Sequence, residues 1–268
     1  MYISKNKKHQ YLLFFILSVY TIFNGGNSNI LIQINFILVS LLFLFCLRDK
    51  NYKLHFNIFY KKNKFPVIFY FFFLSYLIFQ IIPLPIDLLK FFSVEKLNLI
   101  KNLNLNSSFS TISLSPTNSF FQFLNFFTLF FIVSIIKMVF YTERHKFRFY
   151  LFLSLLGFLS ALFAIIIYLI GNFDFFIFHN SYYKNSSTGF FINRTVFAIF
   201  LLFCLIASLE ILKNFDKKKT NTKRDNFFLK IYIRLFIIFI TIGIITSFSR
   251  IGNFLLLITI FFYLINQF

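Results

Sequence analysis

Two arginines are the residues of this sequence best suited to chemistry. Arg194 lies in Gly189-Phe-Phe-Ile-Asn-Arg-Thr-Val-Phe-Ala198, and Arg250 in Thr246-Ser-Phe-Ser-Arg-Ile-Gly252. Each stands where a long apolar run begins. A guanidinium keeps its charge and grips phosphate oxygens in pairs. A helix starting at Arg250 would add backbone N–H groups beside it, a second reason to expect an anion there. An arginine in such a place also suits an interfacial anchor, with its stem in lipid and its head in water, so both readings stand at this point. His179, in His179-Asn180-Ser181-Tyr182, is the candidate general base or else an exposed loop histidine. Asp87, Glu95 and Asp174 read as solvated loop charges. The His, Cys, Asp and Glu residues show no metal-ligand spacing, and Cys46 and Cys204 lie inside apolar stretches as small buried side chains.

The elements that must position these arginines follow from composition. Of 268 residues, 59% are hydrophobic and 13% charged, and the mean hydropathy is +0.78. A soluble domain is about 45–50% apolar and about 25% charged, because it must cover itself with polar side chains. This excludes a soluble enzyme, a nucleic-acid-binding module and a disordered tail, and it predicts an integral membrane protein. A spanning helix needs about 20 mainly apolar residues. Eight stretches meet or approach this: 9–24, 29–47, 65–84, 119–140, 148–170, 191–212, 229–248 and 251–268. The expected fold is an all-α, polytopic membrane helix bundle, with residues 1–268 forming a single transmembrane domain. Lys5, Lys7 and Lys8 followed by Tyr11–Phe23 also resemble a signal peptide. However, no alanine precedes Ala161, so an A-x-A cleavage site is missing and a retained helix is expected.

The charge of +19 is laid out as a topology signal. Twenty-one of the 27 basic residues fall on one set of loops and six on the other, which predicts a cytoplasmic amino terminus. Loops 85–118 and 171–190 then lie outside, as do Arg194 and Arg250. No ionisable residue sits at the middle of a span. Ion-coupled transport normally needs such a group, so of the transport readings only a facilitator for neutral solutes survives. The polar residues within spans, Gln33, Asn35, Gln122, Asn125, Thr241 and Thr246, are expected to bond between helices.

The motifs Gly189-x-Phe/Ile-x-Asn-Arg-x-x-Phe-Ala and Thr-x-Ser-Arg-x-Gly resemble paired motifs of the O-antigen ligase and polymerase-like family of bacterial envelope proteins. Ile81-Ile-Pro-Leu-Pro85 with Leu88-Leu89, and Ile112-Ser-Leu-Ser-Pro116, resemble that family's first outer loop. The resemblance runs from about residue 65 to 255. It implies glycosyl transfer at the periplasmic face of the bacterial inner membrane. A glycan would move from an undecaprenyl pyrophosphate carrier to lipid A-core or another acceptor glycan, with no metal or soluble cofactor and no nucleic acid. By that similarity Arg194 and Arg250 would hold the pyrophosphate, supported by Asn193 and Ser249, and would stabilise the charge growing on the leaving group.

The match departs from the family in two places. Members usually continue past Ser-Arg into a large outer loop with a histidine, whereas this sequence ends at Phe268 inside an apolar run, so a truncated gene or one half of a split protein is expected. Thr195-Val196 also stands where the family tends to place Asn and a variable residue. His179 precedes the Asn-Arg motif, so the family's catalytic role does not carry over to it. Two other readings remain: a non-catalytic or degenerate membrane partner whose arginines are anchors, and a solute facilitator of similar architecture.

Overall fold

The computed structural model describes residues 2–23, 25, 28–103, 108–171, 183, 185–217 and 223–265. Among them are eleven helices and one two-stranded ribbon. In lipid the backbone must satisfy its own hydrogen bonds, which favours helices wherever the chain is apolar. Five helices are long and apolar enough to cross a membrane: α2 (Asn29–Leu47), α7 (Pro116–Val139), α8 (Glu143–Ile170), α9 (Arg194–Lys217) and α10 (Lys223–Thr246). Two shorter apolar helices are α4 (Lys64–Phe79) and α11 (Arg250–Ile265), and α1 covers Tyr2–Ile22. The protein is an all-α, multi-pass membrane protein. Phe65, Phe69 and Phe72 of α4 are among its most exposed side chains, an arrangement that lipid stabilises and water would not.

The chain divides into two compact units. The first comprises Met1–His9 and Asn29–Val139. Here α2 packs on α7 through aromatic rings, with Phe43 and Phe131 stacked at 4.7 Å. The Tyr70 hydroxyl of α4 donates to the Phe126 carbonyl of α7 at 2.6 Å. The amphipathic helix α3 (Lys50–Lys62) was not expected as a separate element; Asp49 caps it by accepting from Asn51 N–H at 2.9 Å. Residues 80–103 and 108–118 also form structure that apolar periodicity does not reveal. Strand β1 (Pro83–Pro85) pairs antiparallel with β2 (Phe109–Thr111), enclosing α5 (Ile86–Phe92) and α6 (Val94–Asn102). The Lys96 ammonium of α6 donates to Thr111 Oγ1 at 2.9 Å and to the Ser113 carbonyl, tying the helix to the ribbon. Burial holds Lys96 below the usual lysine range.

The second unit comprises Gln10–Ser28 and Phe140–Phe268. Phe14 of α1 stacks on Phe152 of α8 at 4.2 Å. Helices α8, α9 and α10 close on one another through small residues. A Cβ on Gly157 would lie 2.3 Å from Cys204 Cβ, and one on Gly243 would lie 3.0 Å from Ala161 Cβ. Ala161, Ala164, Ala198, Leu201, Leu205, Ile240 and Ile244 fill the core between them. Small residues let helices approach until van der Waals contact and short polar bridges hold them, because lipid supplies no hydrophobic drive. The Ser154 and Ser208 hydroxyls share such a bridge, 2.7 Å long, between α8 and α9. Thr241, one of the residues expected to bond across helices, donates instead to Ile238 O of its own helix.

The close passage at Gly157 yields a direct prediction. Gly157→Ala places a methyl against Cys204 Cβ and should destabilise the protein by about 1–3 kcal/mol. Adding Cys204→Gly should restore much of that loss by removing the opposing atom. Thermal unfolding of the single and double variants in detergent reads both effects; an unchanged melting point for Gly157→Ala would contradict this packing.

Candidate functional site

The site is built where two helices of the second unit begin. Helix α9 starts at Arg194 and α11 at Arg250, so both sequence-predicted arginines occupy the first helical position. Asn193 is the cap of α9: its Oδ1 accepts from Thr195 N–H at 2.8 Å. Ser249 is the cap of α11: its Oγ accepts from Gly252 N–H at 3.1 Å. Both are residue types that favour this position because their short oxygens reach the unpaired N–H groups of a first turn.

The two caps belong to one structure. Ser249 Oγ donates to Thr195 Oγ1 at 3.4 Å, linking the residue before Arg250 to the residue after Arg194. A Cβ on Gly252 would lie 2.5 Å from Ala198 Cβ, so the first turns of α9 and α11 touch backbone to side chain. The connection from α10 to α11 spans only Ser247–Ser249 and is tightly held. Ser247 Oγ donates to Ile244 O at 2.6 Å and accepts from Ser249 N–H at 3.3 Å. Phe248 sits at φ +48°, the left-handed region that a bulky residue enters only when its surroundings demand it.

A second segment clamps the same place. Ser187 N–H donates to Thr246 O at 3.0 Å, and the Ser187 and Thr246 hydroxyls share a hydrogen bond of 2.8 Å. The chain then turns at Gly189, φ +56°, where a Cβ would meet Ala164 Cβ and the Phe197 ring, each at 3.1 Å. Thus the residues just before α9 are pinned to the end of α10, and the end of α10 leads directly into α11.

The electrostatics are unusual for helix starts. The positive end of a helix dipole favours an acid in the first turn, yet neither α9 nor α11 has one. Each carries an arginine there, at a cost of about 0.3–1 kcal/mol for a cation so placed. The Arg194 guanidinium, half-buried, lies 4.8 Å from the Tyr183 ring centroid, a cation–π contact that holds it without neutralising it. Arg250 is exposed. Among the described residues no carboxylate forms an ion pair with Arg194 or Arg250, so none balances either arginine. Two abutting helix starts and two guanidiniums that no described carboxylate balances make a place where an anion is favoured. Asn253, four residues after Ser249 and on the same face of α11, carries a sealed amide oxygen with no hydrogen-bond partner among the described residues, an acceptor that calls for a donor and not for the anion itself.

The structure therefore brings Asn193, Arg194, Ser249 and Arg250 together. His179 and Asp174 lie outside the described residues. Asp87 and Glu95 sit in the first turns of α5 and α6 in the other unit. The described residues contain no group of three or more His, Cys, Asp or Glu that could hold a metal ion. Sequence reasoning missed Thr195, Ser187 and Asn253 as parts of this assembly, and named Thr246 only as the start of the Arg250 motif and as a polar residue within a span. Thr195 counted as a departure from the family pattern, but its hydroxyl is the bridge between the caps. The signal was faint: its partner is 54 residues away, and one short hydroxyl carries no periodicity.

The fold and site define a polytopic helical membrane protein with a cationic site at two abutting helix starts. Comparison with protein-family models, with curated proteins and with solved structures finds no match.

Proposed function

We propose that this protein binds an undecaprenyl pyrophosphate-linked glycan and takes part in its transfer to an acceptor glycan or lipid A-core, in the manner of O-antigen ligases and polymerases. The observation that carries the proposal is the pairing of Arg194 and Arg250 at abutting helix starts, with no described carboxylate to balance them. The motif resemblance supplies the substrate class. In the transfer, an acceptor hydroxyl oxygen attacks the anomeric carbon. The bond from that carbon to the pyrophosphate oxygen breaks, and the hydroxyl proton passes to a general base, for which His179 is the candidate. The arginines and helix N–H groups would stabilise the charge gathering on the departing pyrophosphate, which is greater in the transition state than in the bound substrate.

The proposal includes a topology: eight spans, formed by α1, α2, α4 and α7 to α11, with a cytoplasmic amino terminus in the bacterial inner membrane. The arginine site and segment 80–118 then face the periplasm. What supports it is the division of basic residues, 21 on one set of loops and six on the other. On intact inner-membrane vesicles of cytoplasmic-side-in orientation, an impermeant maleimide should label Ser115→Cys and spare Lys61→Cys. The reverse pattern would overturn the topology.

The exposure of Arg250 favours one other reading, a non-catalytic membrane partner in which both arginines are interfacial anchors. Binding measurements separate the two. Arg194→Ala and Arg250→Ala should each weaken binding of an undecaprenyl pyrophosphate glycan by roughly tenfold to a hundredfold, as charged hydrogen bonds are lost. Lysine, which lacks the planar fork, should restore only part of the affinity at either position. Unchanged affinity in both alanine variants would overturn the proposed role and leave the anchor reading.

A further inference from the structure

The first unit holds a groove lined wholly by its own residues. It has a volume of about 330 Å³ and is lined by Phe59 and Asn63 at the α3–α4 junction, Val67 and Tyr70 of α4, and Leu129 and Val133 of α7. Its wall is almost wholly apolar. The polar groups that border it are spent within the protein: Tyr70 donates to Phe126 O, and Asn63 Nδ2 donates to Phe59 O at 2.9 Å. An occupant therefore meets hydrocarbon and few open hydrogen-bonding groups. Leu129 and Val133 are exposed, so the groove opens sideways to the lipid rather than into a closed core.

One end of the groove is strongly basic. Asn63 is flanked by Lys62 and Lys64, with Lys61 one residue further, and all three are exposed. The opposing wall contributes a fourth. The Tyr70–Phe126 bond, with Asn63 and Val133 lining the same groove, sets α4 and α7 antiparallel here. Lys137 is one turn past Val133 on the same face of α7 and so belongs to the Asn63 end, where it too is exposed. No acidic residue occurs between Asp49 and Asp87 or anywhere in α7, so this charge is not balanced by its neighbours. From Asn63 to Tyr70 the helix rises about 10 Å, the depth of several methylenes below a charged rim.

We infer that this groove is a binding site for one anionic phospholipid, with an acyl chain along Val67, Tyr70, Leu129 and Val133 and the phosphate among Lys61, Lys62, Lys64 and Lys137. The chain supplies the apolar surface that the wall requires, and the head group supplies the charge that the rim lacks. Lysine suits the task because its long stem lies along lipid while the ammonium reaches the head-group level. A zwitterionic lipid fills the groove equally well but gains far less at the rim. The site does not depend on the glycan-transfer reading, since it lies in the other unit and takes a different ligand.

The test uses the whole protein in nanodiscs of phosphatidylcholine doped with phosphatidylglycerol, with retained lipids counted by native mass spectrometry. The wild type should keep one phosphatidylglycerol in clear preference to phosphatidylcholine. Lys61→Gln/Lys62→Gln/Lys64→Gln should cut that preference roughly tenfold or more, because each basic residue near a membrane surface favours an anionic lipid. Val133→Phe, which fills the groove from an exposed position, should abolish retention of either lipid. These substitutions lie on the surface, so the helix content by circular dichroism should match the wild type. Equal retention of the two lipids by the wild type would overturn the inference. So would a preference for phosphatidylglycerol that survives the triple lysine variant, or retention of either lipid by Val133→Phe.

Discussion

The site depends on how closely four helices of the second unit approach one another. Gly157 meets Cys204, Gly243 meets Ala161, and Gly252 meets Ala198, each at a distance that leaves no room for another methyl group. Within a bilayer this contact is the main source of helix association, since lipid tails solvate leucine and phenylalanine as well as a neighbouring helix does. A protein with 49 phenylalanines and only seven glycines thus relies on a few small residues to bring its helices together. The bulky ones face lipid or stack in pairs such as Phe14 with Phe152 and Phe158 with Phe236. Loss of the Gly252–Ala198 passage would separate the first turns of α9 and α11, and with them the two arginines.

Close packing sets the positions, and short hydroxyls finish the job. Ser249 is cap, acceptor and donor at once: it takes the Gly252 N–H and gives its proton to Thr195. Ser187 and Thr246 hold the opposite side. This cluster of small polar residues fixes two helix starts that then each carry a cation against their own dipole. Proteins tolerate such local unfavourable placements chiefly where function needs them. An anion at this point would remove the conflict, since it meets the dipoles and the guanidiniums with the same sign of interaction.

Much of this was legible in the sequence. The starts of α9 and α11 at Arg194 and Arg250 follow from a polar cap followed by an apolar run, and the apolar stretches foretold the five long helices to within six residues at either end. Long, strongly apolar segments announce themselves because every residue contributes to the signal. The rest was hidden where few residues carry the information. Helix α3 mixes lysines with Tyr52 and Phe56, so it reads as a basic loop until its packed face is seen. The β1–β2 ribbon is two strands of three residues, one of them containing two prolines. The Ser187–Thr246 and Ser249–Thr195 bridges join residues more than 50 positions apart, a pairing no local pattern encodes. Of the polar residues inside spans, Thr246 reaches another segment at Ser187, but Thr241 satisfies itself on its own helix, whereas Ser154 and Ser208, unremarkable in sequence, make the bridge between α8 and α9.

The central claim is that Arg194 and Arg250 serve one anion together. A double-mutant cycle tests it most directly, with affinity for an undecaprenyl pyrophosphate glycan measured for the wild type, Arg194→Ala, Arg250→Ala and the double variant. If both guanidiniums grip the same pyrophosphate, the losses should depart from additivity by more than about 0.5 kcal/mol. Losses that add to within about 0.3–0.5 kcal/mol, or a double variant that binds as the wild type does, would contradict a shared site.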